Sequence, residues 1–565
     1  MVKTTHDADA PIAPARKVLA LFRRVDVLAG IVFIVVFLYR FNGLGGALGG
    51  FDGDHFIFYL RTVAVAHGER PLRDFADALQ GAWPALTYEL PALAQKIGGE
   101  TLLSEAVFVV GAIATALTVQ FVTAARLAGP VSAFVVTMLT MFTATKSYGY
   151  TKLVVFGVAA ALFLQYVRRP TRSSLVLLAV WSAATFLFRH DYLVYLAPPT
   201  AVLIMLGSSG WRAGIIRLCA YGAIVTVLLA GPLYSIQHYV GMRPFVETNL
   251  AIVASESTRT NLGWPQLTPE PTVGEFISNE KNAAAWMYYI ALSIPPLAVA
   301  ALFWSAGPRD LDARQRRAIV VSLAVLAFVL NRYLLRGNLG ARIGDLGAPV
   351  AILAAWLATS FRDMPIPMKV VGRTVTALVL VSAALAISTI GSVWHELDTT
   401  GFRDSIEKTV RRVSAVSDQL RALPPPAGTI SPGGPTVSDY IHACTTSSQR
   451  VLLVADSPEI LAMAARSFAA GHPTFKPGFF TLEHDQRLML ERLHAQDVPV
   501  VVTDLEQKYL QNFASQFTLI HEFITKHYEL AGQLPAPAGD PVRVFVRRGR
   551  EFTSHYGSTT LPCSL

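Results

Sequence analysis

Apolar segments of roughly 17–25 residues recur through the first two thirds of the chain, and no other feature constrains its fold as strongly. A bilayer core of about 30 Å requires about 20 apolar residues in a helix. Charged residues make up 15% of the chain, against about 25% in an average soluble domain. The pattern predicts about eleven transmembrane helices. They start near Val25, Leu102, Val131, Leu153, Ser173, Tyr192, Gly214, Ala284, Ala318, Asp345 and Thr374.

The connections between the apolar segments differ in charge. Lysine and arginine are concentrated in alternate short connections, which the positive-inside rule places in the cytoplasm. We therefore expect a cytoplasmic tail over residues 1–24, a transmembrane module over residues 25–395, and two long external loops at residues 44–101 and 235–283. The first apolar segment lacks a small-residue cleavage site, so we interpret it as a signal anchor.

The chain is basic, with a formal charge of +9 and a pI near 9.4. In a soluble protein this balance would suggest a nucleic-acid partner. Here the cationic residues mark the loops of a membrane protein, so they indicate topology instead. We expect contact with membrane lipids and no nucleic-acid partner.

The last third of the chain has the composition of a soluble domain. Residues 396–435 predict a connecting helix and a linker rich in Pro and Gly. In residues 436–565, apolar strands alternate with helical segments, which predicts an external α/β domain. No Gly-rich phosphate loop follows its first strand, so no cofactor is assigned to it. The predicted strands are Arg450–Ala455, Val498–Val502 and Val542–Val546, and the predicted helices are Pro458–Ala470, Leu482–Ala495 and Phe513–Tyr528.

Ionisable residues are rare near a bilayer unless they have a role, yet the first external loop contains two groups of them. One group directly follows the first span, and a second group follows in the same loop. The alternative interpretation is a solvated loop with ordinary turn residues. The first group is Asp52, Asp54 and His55, and the second is Arg73, Asp74 and Asp77.

Cationic residues lie at other helix ends on the predicted outer side. Arginine suits a phosphate or pyrophosphate because its planar guanidinium bonds two oxygens. A local Arg–Asp pair that caps a helix, or contact with anionic lipids, are the alternatives. The residues are Arg189, His190 and Asp191 after the fifth span, Arg336 and Arg342 between the ninth and tenth spans, and Lys146 and Lys152 beside a short outer loop.

A cavity lined by carboxylates and cations beside a bilayer suits a lipid-linked phosphosugar that enters from the membrane. A carboxylate can deprotonate an acceptor hydroxyl, with general-base gains of roughly 10²–10⁴-fold. The phosphate leaving group requires neutralisation by arginine or by a metal.

The segment from Asp54 to Asp77 resembles the first external loop of bacterial polyprenyl-phosphate-sugar glycosyltransferases with the GT-C fold. This superfamily, like glycosyltransferase family 39, contains protein mannosyltransferases and the aminoarabinose transferase for lipid A. The matching residues are Asp54, Gly68 and the run Pro71–Asp77, with seventeen positions between Asp54 and Pro71. Arg189 and Asp191 also match an Arg-x-Asp segment common in these proteins.

The resemblance implies a GT-C-like fold in a bacterial inner membrane, with the C-terminal domain in the periplasm. It implies a polyprenyl-phosphate sugar donor, a lipid, glycan or protein acceptor, and inversion at the anomeric carbon. Asp54 would be the catalytic base, and Arg189, Arg336, Arg342, Lys146 and Lys152 would contact the donor phosphate. Asp52, His55, Arg73, Asp74, Asp77, His190 and Asp191 would support geometry or bind the acceptor.

The chain departs from the family at two positions in this loop. His55 stands where the family often has a second acid, and Ala76 replaces an aromatic residue. The missing acid weakens a two-carboxylate metal site. A divalent metal therefore stays open, with Asp54 as its ligand and Asp52 as the substitute acid.

Two other classes of function are compatible with a membrane bundle. A secondary transporter would show inverted repeats and broken helices near the midplane, and a non-catalytic scaffold would only display the external domain. The sequence shows no convincing internal repeat, and its ionisable residues cluster at one face of the bundle instead of near the midplane. A scaffold leaves the carboxylates beside the first span unexplained. In the external domain, Cys444 and Cys563 are candidates for a disulfide, with two free thiols as the alternative.

Overall fold

The computed structural model describes most of the chain in two parts, a bundle of helices and a C-terminal α/β domain. The predicted N-terminal tail, Asp52, Arg336 and the end of the linker lie outside the described residues. The described residues are 25–44, 51, 53–77, 83–143, 146–260, 263–304, 311–335, 339–361, 364–424, 436–504, 507–536, 541–557 and 559–563.

A helix occupies each of the eleven predicted transmembrane positions. Among the described residues, 8 helical segments are long and apolar enough to cross a membrane, and α5 and α7 are apolar but shorter. This confirms a multi-span helical membrane protein, although fewer helices meet the length and composition of a full span than predicted. The eleven helices are α1 Val25–Gly43, α4 Leu102–Ala128, α5 Pro130–Phe142, α6 Tyr150–Arg168, α7 Arg172–Phe188, α8 His190–Gly207, α9 Trp211–Tyr239, α12 Glu280–Ala301, α13 Ala313–Leu334, α14 Gly347–Ser360 and α15 Ile366–Ile390.

Polar residues at the helix starts satisfy backbone groups that would otherwise have no partner. Helix α13 begins with a capping box, in which Asp312 accepts from the Gln315 amide at 2.8 Å and Gln315 accepts from the Asp312 amide at 2.9 Å. The Thr171 side chain accepts from the Ser174 amide at the start of α7. These caps set the helix boundaries that the apolar pattern alone leaves open.

Both predicted long loops contain helices. The first holds α2 (Gly53–Ala66) and α3 (Leu86–Gly98). The second begins later than predicted, because α9 continues to Tyr239, and it holds α10 (Met242–Thr260) and α11 (Val273–Ser278). Helix α2 is buried on more than one face, because the bundle and the C-terminal domain both cover it.

The chain returns from the bundle to the C-terminal domain through two helices, α16 (Val393–Thr399) and α17 (Ile406–Arg421). The Asn42 side-chain amide donates to the backbone oxygens of Thr400 (3.1 Å) and Thr409 (3.0 Å). These bonds fasten the connecting segment to the end of α1.

The C-terminal domain is a mixed five-stranded sheet with helices, as predicted in outline. The strand order is β2-β1-β3-β5-β4, with β2, β1 and β3 parallel and β5 and β4 antiparallel to their neighbours. The elements are α18 Val437–Cys444, β1 Arg450–Val454, α19 Glu459–Ala464, β2 Ser467–Phe468, α20 Glu483–Ala495, β3 Val500–Asp504, α21 Gln507–Gln516, α22 Thr518–His527, β4 Tyr528–Pro535, β5 Pro541–Arg547, β6 Ser554–His555 and β7 Pro562–Cys563.

Two helix predictions in this domain have wrong boundaries. The helix predicted over Pro458–Ala470 ends at Ala464, because Ala465 adopts a left-handed conformation (φ +49°) and the next residues pair with β1. The helix predicted over Phe513–Tyr528 divides into α21 and α22 at Phe517, and Tyr528 begins strand β4. Tertiary pairing decides these ends, and propensity does not.

A disulfide joins Cys444 at the end of α18 to Cys563 in β7, with an S–S distance of 2.01 Å. The bridge ties the last residues of the chain to the first helix of the domain. The Tyr440 hydroxyl donates to the Pro562 carbonyl at 2.8 Å and reinforces this junction.

The domain and the first long loop share one apolar core. Phe56 and Tyr59 of α2 belong to the same buried cluster as Tyr440 and Val451 of the domain. The Ala76 amide donates to the Gly471 carbonyl at 3.0 Å. The domain is therefore packed directly on the loop that carries Asp54.

Candidate functional site

Asp54 lies in the first turn of α2, where the C-terminal domain covers it. The Lys476 ammonium, from the segment between β2 and α20, donates to Asp54 Oδ1 at 2.5 Å. The same ammonium lies 3.5 Å from Asp456 Oδ1. One lysine of the C-terminal domain thus stands between a carboxylate of the first long loop and a carboxylate that follows β1.

Two further groups face Asp54 from the stretch before α6. Burial alone would raise the pKa of the Asp54 carboxyl group, but Lys476 and, less strongly, Lys146 and the Tyr148 hydroxyl outweigh it and hold that pKa below its ordinary value. Burial would lower the pKa of Lys476, but Asp54 and Asp456 raise it overall. Asp54 and Lys476 are therefore both charged at neutral pH.

A second charged cluster lies where α6, α8 and α13 meet. Lys152 forms a buried ion pair with Asp345, and its ammonium lies 5.4 Å from the centre of the Tyr333 ring. Arg189 binds Asp191 through two hydrogen bonds, Nε to Oδ1 at 3.0 Å and Nη2 to Oδ2 at 2.7 Å. The pair is local to the start of α8, and neither side chain caps the helix through a hydrogen bond at the Arg189 position.

Hydrogen bonds connect the second cluster to the first long loop. The Tyr150 hydroxyl donates to the Thr87 carbonyl at 3.1 Å, and the Thr87 hydroxyl donates to the Phe188 carbonyl at 2.6 Å. The Thr151 and Tyr192 hydroxyls lie 2.9 Å apart. The stretch from Lys146 to Lys152 therefore spans both clusters at one end of the bundle.

Asp77 belongs to a buried network that holds the first long loop together. It accepts from Arg61 Nη1 at 3.1 Å and from the Tyr88 hydroxyl, and Arg61 also donates to the Ala76 carbonyl at 2.9 Å. These contacts leave Asp77 enclosed, with 3% of its surface exposed. The geometry gives it a role in the fold of the loop.

Arg73 and Asp74 form an exposed pair in the turn after α2. Arg73 Nε donates to Asp74 Oδ2 at 2.8 Å, and the same oxygen accepts from the Arg70 amide at 2.7 Å. Asp74 therefore closes the turn. The pair faces solvent on the surface of the loop.

The two predicted histidines are surrounded by aromatic rings. His55 is buried, its ring lies 4.1 Å from the Phe51 ring, and burial lowers its pKa to about 3. It is therefore neutral and does not act as a second acid. His190 lies 5.5 Å from the Phe245 ring.

The structure brings together only part of the predicted phosphate-binding set. Arg342 precedes the 3₁₀ turn Ile343–Leu346 and acts electrostatically on Tyr333 beside Arg189 and Lys152. Lys146 instead faces Asp54. Sequence reasoning did not find Lys476 or Asp456, because nothing in their local sequence indicates which loop they meet.

Asp54 and Asp456 are the carboxylates that the structure brings to Lys476, and Asp52, the predicted substitute acid, lies outside the described residues. Among the described residues, no group of three or more His, Cys, Asp and Glu side chains is arranged to hold one. The space between Asp54 and Asp456 is occupied by the Lys476 ammonium, which is itself a cation.

Fold and site together define a class, a multi-pass membrane protein whose C-terminal α/β domain covers a carboxylate and lysine site at one end of the bundle. No protein-family model matches the chain, and no curated protein matches it. Among solved structures, it is similar to the oligosaccharyltransferase of Archaeoglobus fulgidus tethered with an acceptor peptide, at 11% identity and a TM-score of 0.45, over 94% of this chain and 75% of that chain.

The chain is also similar to ArnT from Cupriavidus metallidurans. In the apo state the identity is 12% and the TM-score 0.41, over 94% of this chain and 98% of that chain. In the form bound to undecaprenyl phosphate the identity is 13% and the TM-score 0.38, over 93% and 98%.

Proposed function

We propose that this chain is a membrane glycosyltransferase that moves a sugar from a polyprenyl-phosphate donor to an acceptor hydroxyl. The observation that carries the proposal is the position of Asp54, an ionised carboxylate at one end of a membrane bundle with Lys476 and Lys146 facing it. The resemblance of the loop from Asp54 to Asp77 gives the class of reaction. This arrangement supplies a base and cationic groups for a phosphate leaving group.

Asp54 is the general base in this proposal. The acceptor oxygen attacks the anomeric carbon, its proton passes to Asp54, and the bond from that carbon to the phosphate oxygen breaks. The electron pair leaves with the phosphate, and because the acceptor attacks from the face opposite the phosphate in a single displacement, the configuration at the anomeric carbon is inverted. A positioned carboxylate contributes roughly 10²–10⁴-fold to such a step.

An apolar cavity lies beside the charged end of the bundle. It has a volume of about 60 Å³ and lies between α5, α12, α14 and α15. Ile343 and Leu346 line it, and Asp345 of the same turn pairs with Lys152. A polyprenyl tail would enter this cavity only if the helices separated, and its phosphate would then lie toward the charged end of the bundle.

The proposal keeps the membrane topology that the sequence predicts. In this proposal the N-terminus lies in the cytoplasm of a bacterium, and residues 436–565 form a domain outside the inner membrane, reached through α16 and α17. Reduction of the Cys444–Cys563 bridge by a membrane-impermeant reductant in spheroplasts tests this orientation. Resistance in spheroplasts and reduction only after lysis would contradict it.

Donor consumption by the purified full-length protein tests the function. We expect the wild type to convert one member of a panel of polyprenyl-phosphate sugars to polyprenyl phosphate, detected by mass spectrometry. Asp54→Asn should abolish conversion without changing the melting temperature, and Glu100→Gln, an exposed acid of the same loop, should remain active. Full activity of Asp54→Asn would contradict the assignment of Asp54 as the general base. Substrate flux in proteoliposomes without any transfer would favour a transporter, and neither activity would favour a scaffold.

A further inference from the structure

We infer that the C-terminal domain completes the reaction site. During transfer, the Lys476 ammonium leaves Asp54 and binds the phosphate of the leaving group, a change of partner that we call the exchange. This inference rests on the proposed function. It assigns a catalytic residue to a region that the sequence indicates only as an external α/β domain. Lys476 lies outside the segments on which the resemblance to the glycosyltransferase family rests.

The position of Lys476 is set by close contact between the domain and the start of α2. A side chain added at Gly53 would lie 3.8 Å from Pro458 and 4.0 Å from the Asp456 carbonyl, so the segment after β1 rests on the first turn of α2. Lys476 extends into this junction and meets Asp54 and Asp456 together. The ammonium is thereby brought to the proposed base by packing of the two parts.

The surroundings of Lys476 differ from those of a closed structural ion pair. The side chains of Asp54 and Asp456 are 34% and 55% exposed, and that of Lys476 is 24% exposed. In the pair of Lys152 and Asp345 the values are 9% and 6%. A partly exposed pair contributes little to stability, and an ammonium on a flexible stem can change partner. Lys476 is therefore free to move to a stronger anion.

The reaction creates that anion. The phosphate of a polyprenyl-phosphate sugar carries one negative charge, and it gains a second when the bond to the anomeric carbon breaks. At the same time Asp54 takes the acceptor proton and loses its own negative charge. The attraction of Lys476 for Asp54 falls while its attraction for the phosphate rises. Lys476 keeps its proton and stabilises the transition state more than the ground state.

The same exchange accounts for the cation that the site requires. The ammonium lies between two carboxylates and supplies a positive charge there. We therefore expect turnover to persist in EDTA, because the charge on the leaving phosphate is neutralised by Lys476. Loss of turnover in EDTA with recovery on adding Mg²⁺ or Mn²⁺ would contradict this assignment.

Steady-state kinetics of the full-length protein test the role of Lys476. We expect Lys476→Met to lower kcat/KM for the donor by about 100-fold, the usual effect of removing one group that stabilises the developing charge. Lys476→Arg should recover part of this loss. The matched control is Arg450→Met, which breaks a second ion pair between the domain and the first long loop, that of Arg450 with Glu69. The control should keep the wild-type kcat/KM.

Equal losses in Lys476→Met and Arg450→Met would show that Lys476 only holds the domain in place, and the inference would be wrong. Wild-type kinetics in Lys476→Met would overturn it directly. If the wild type consumes no donor at all, the proposed function fails, and the binding measurement below still decides whether Lys476 contacts a phosphate.

Binding of the product analogue polyprenyl phosphate, measured in nanodiscs, tests the exchange without turnover. Asp54→Asn removes the group that competes for Lys476, so it should bind polyprenyl phosphate several-fold more tightly than the wild type. Lys476→Met should bind it more weakly. Inorganic phosphate serves as the second ligand and should compete only weakly if the lipid tail contributes to binding. The Asp54→Asn variant keeps Lys476 intact. If its affinity for polyprenyl phosphate equals that of the wild type, the exchange is contradicted.

Discussion

The Lys476 ammonium lies 2.5 Å from a carboxylate oxygen of Asp54, although the two residues are 422 positions apart in the chain. The contact joins the domain after the bundle to the loop after the first helix. Lys476 is thus an ionic partner that the proposed base can lose during the reaction. The proposed reaction therefore requires the domain to be packed on the first long loop.

The exchange predicts two different pH profiles. Burial would raise the pKa of Asp54, but in the free protein Lys476 and Lys146 hold it below its ordinary value, which is about 3.9 for an aspartate. A lowered pKa places the acid limb of kcat/KM, which reports the free enzyme, below about pH 4. In the complex with the donor, the negatively charged phosphate lies near Asp54 and competes for Lys476, so the acid limb of kcat should lie at higher pH. Coincident limbs would contradict the exchange.

The lowered pKa of Asp54 also makes the stability of the protein depend on pH. Because the pKa of Asp54 is lowered, its pairing contributes stability at pH values above the ordinary carboxyl pKa and loses it as the pH falls through the lowered value. Hydrogen exchange in the first turn of α2 should therefore accelerate only in strong acid. Lys476→Met should remove that acid dependence, and high salt should weaken it, because the pair is partly exposed.

Asp54 and Lys476 differ in how much the sequence reveals about them. The apolar periodicity predicted the helices from Val25 to Ile390, because a bilayer imposes length and composition on each segment. The motif around Asp54 was visible because its residues are neighbours in the chain. Lys476 was not, because its meeting with Asp54 depends on how a loop of the domain packs on α2.

The sequence does not indicate how the two lysines of one stretch divide between the two charged clusters. Lys146 and Lys152 were both predicted to contact the donor phosphate, and helix α6 begins between them at Tyr150. The helix directs Lys152 to Asp345, and Lys146 stays beside Asp54. Asp77 was predicted to support the site, but its partners Arg61 and Tyr88 come from flanking helices that the sequence could not pair.

The Asp77 network should be required for folding of the first long loop. Asp77→Ala leaves Arg61 buried without its charge partner, which costs about 3–5 kcal/mol when a buried ion pair is broken. Tyr88→Phe removes two hydrogen bonds, one donated to Asp77 and one accepted from Arg61, and should cost about 2 kcal/mol. Denaturant unfolding followed by intrinsic fluorescence measures both. A loss below 1 kcal/mol in Asp77→Ala would show that the network is not needed.

The disulfide should stabilise the C-terminal domain. It closes a loop with a sequence separation of 119 residues, and bridges of this kind contribute about 2–4 kcal/mol. Cys563→Ser should lower the melting temperature, and reduction of the wild type should add the mass of two hydrogens. Absence of that mass shift would show free thiols.

The apolar cavity should select for tail length if it holds the donor. Val350 lines the cavity, and Val350→Phe reduces its volume. We expect KM to rise about tenfold for a long polyprenyl donor, equivalent to about 1.4 kcal/mol, and less for a short one. Val180→Phe, on an exposed face of α7, is the matched control. An equal effect on long and short donors would place the tail elsewhere.

The most direct measurement is donor consumption by wild type and Asp54→Asn, both as folded full-length protein with a panel of polyprenyl-phosphate sugars. The account predicts release of polyprenyl phosphate from one donor by the wild type and none by Asp54→Asn at an unchanged melting temperature. Equal release by both proteins would contradict it.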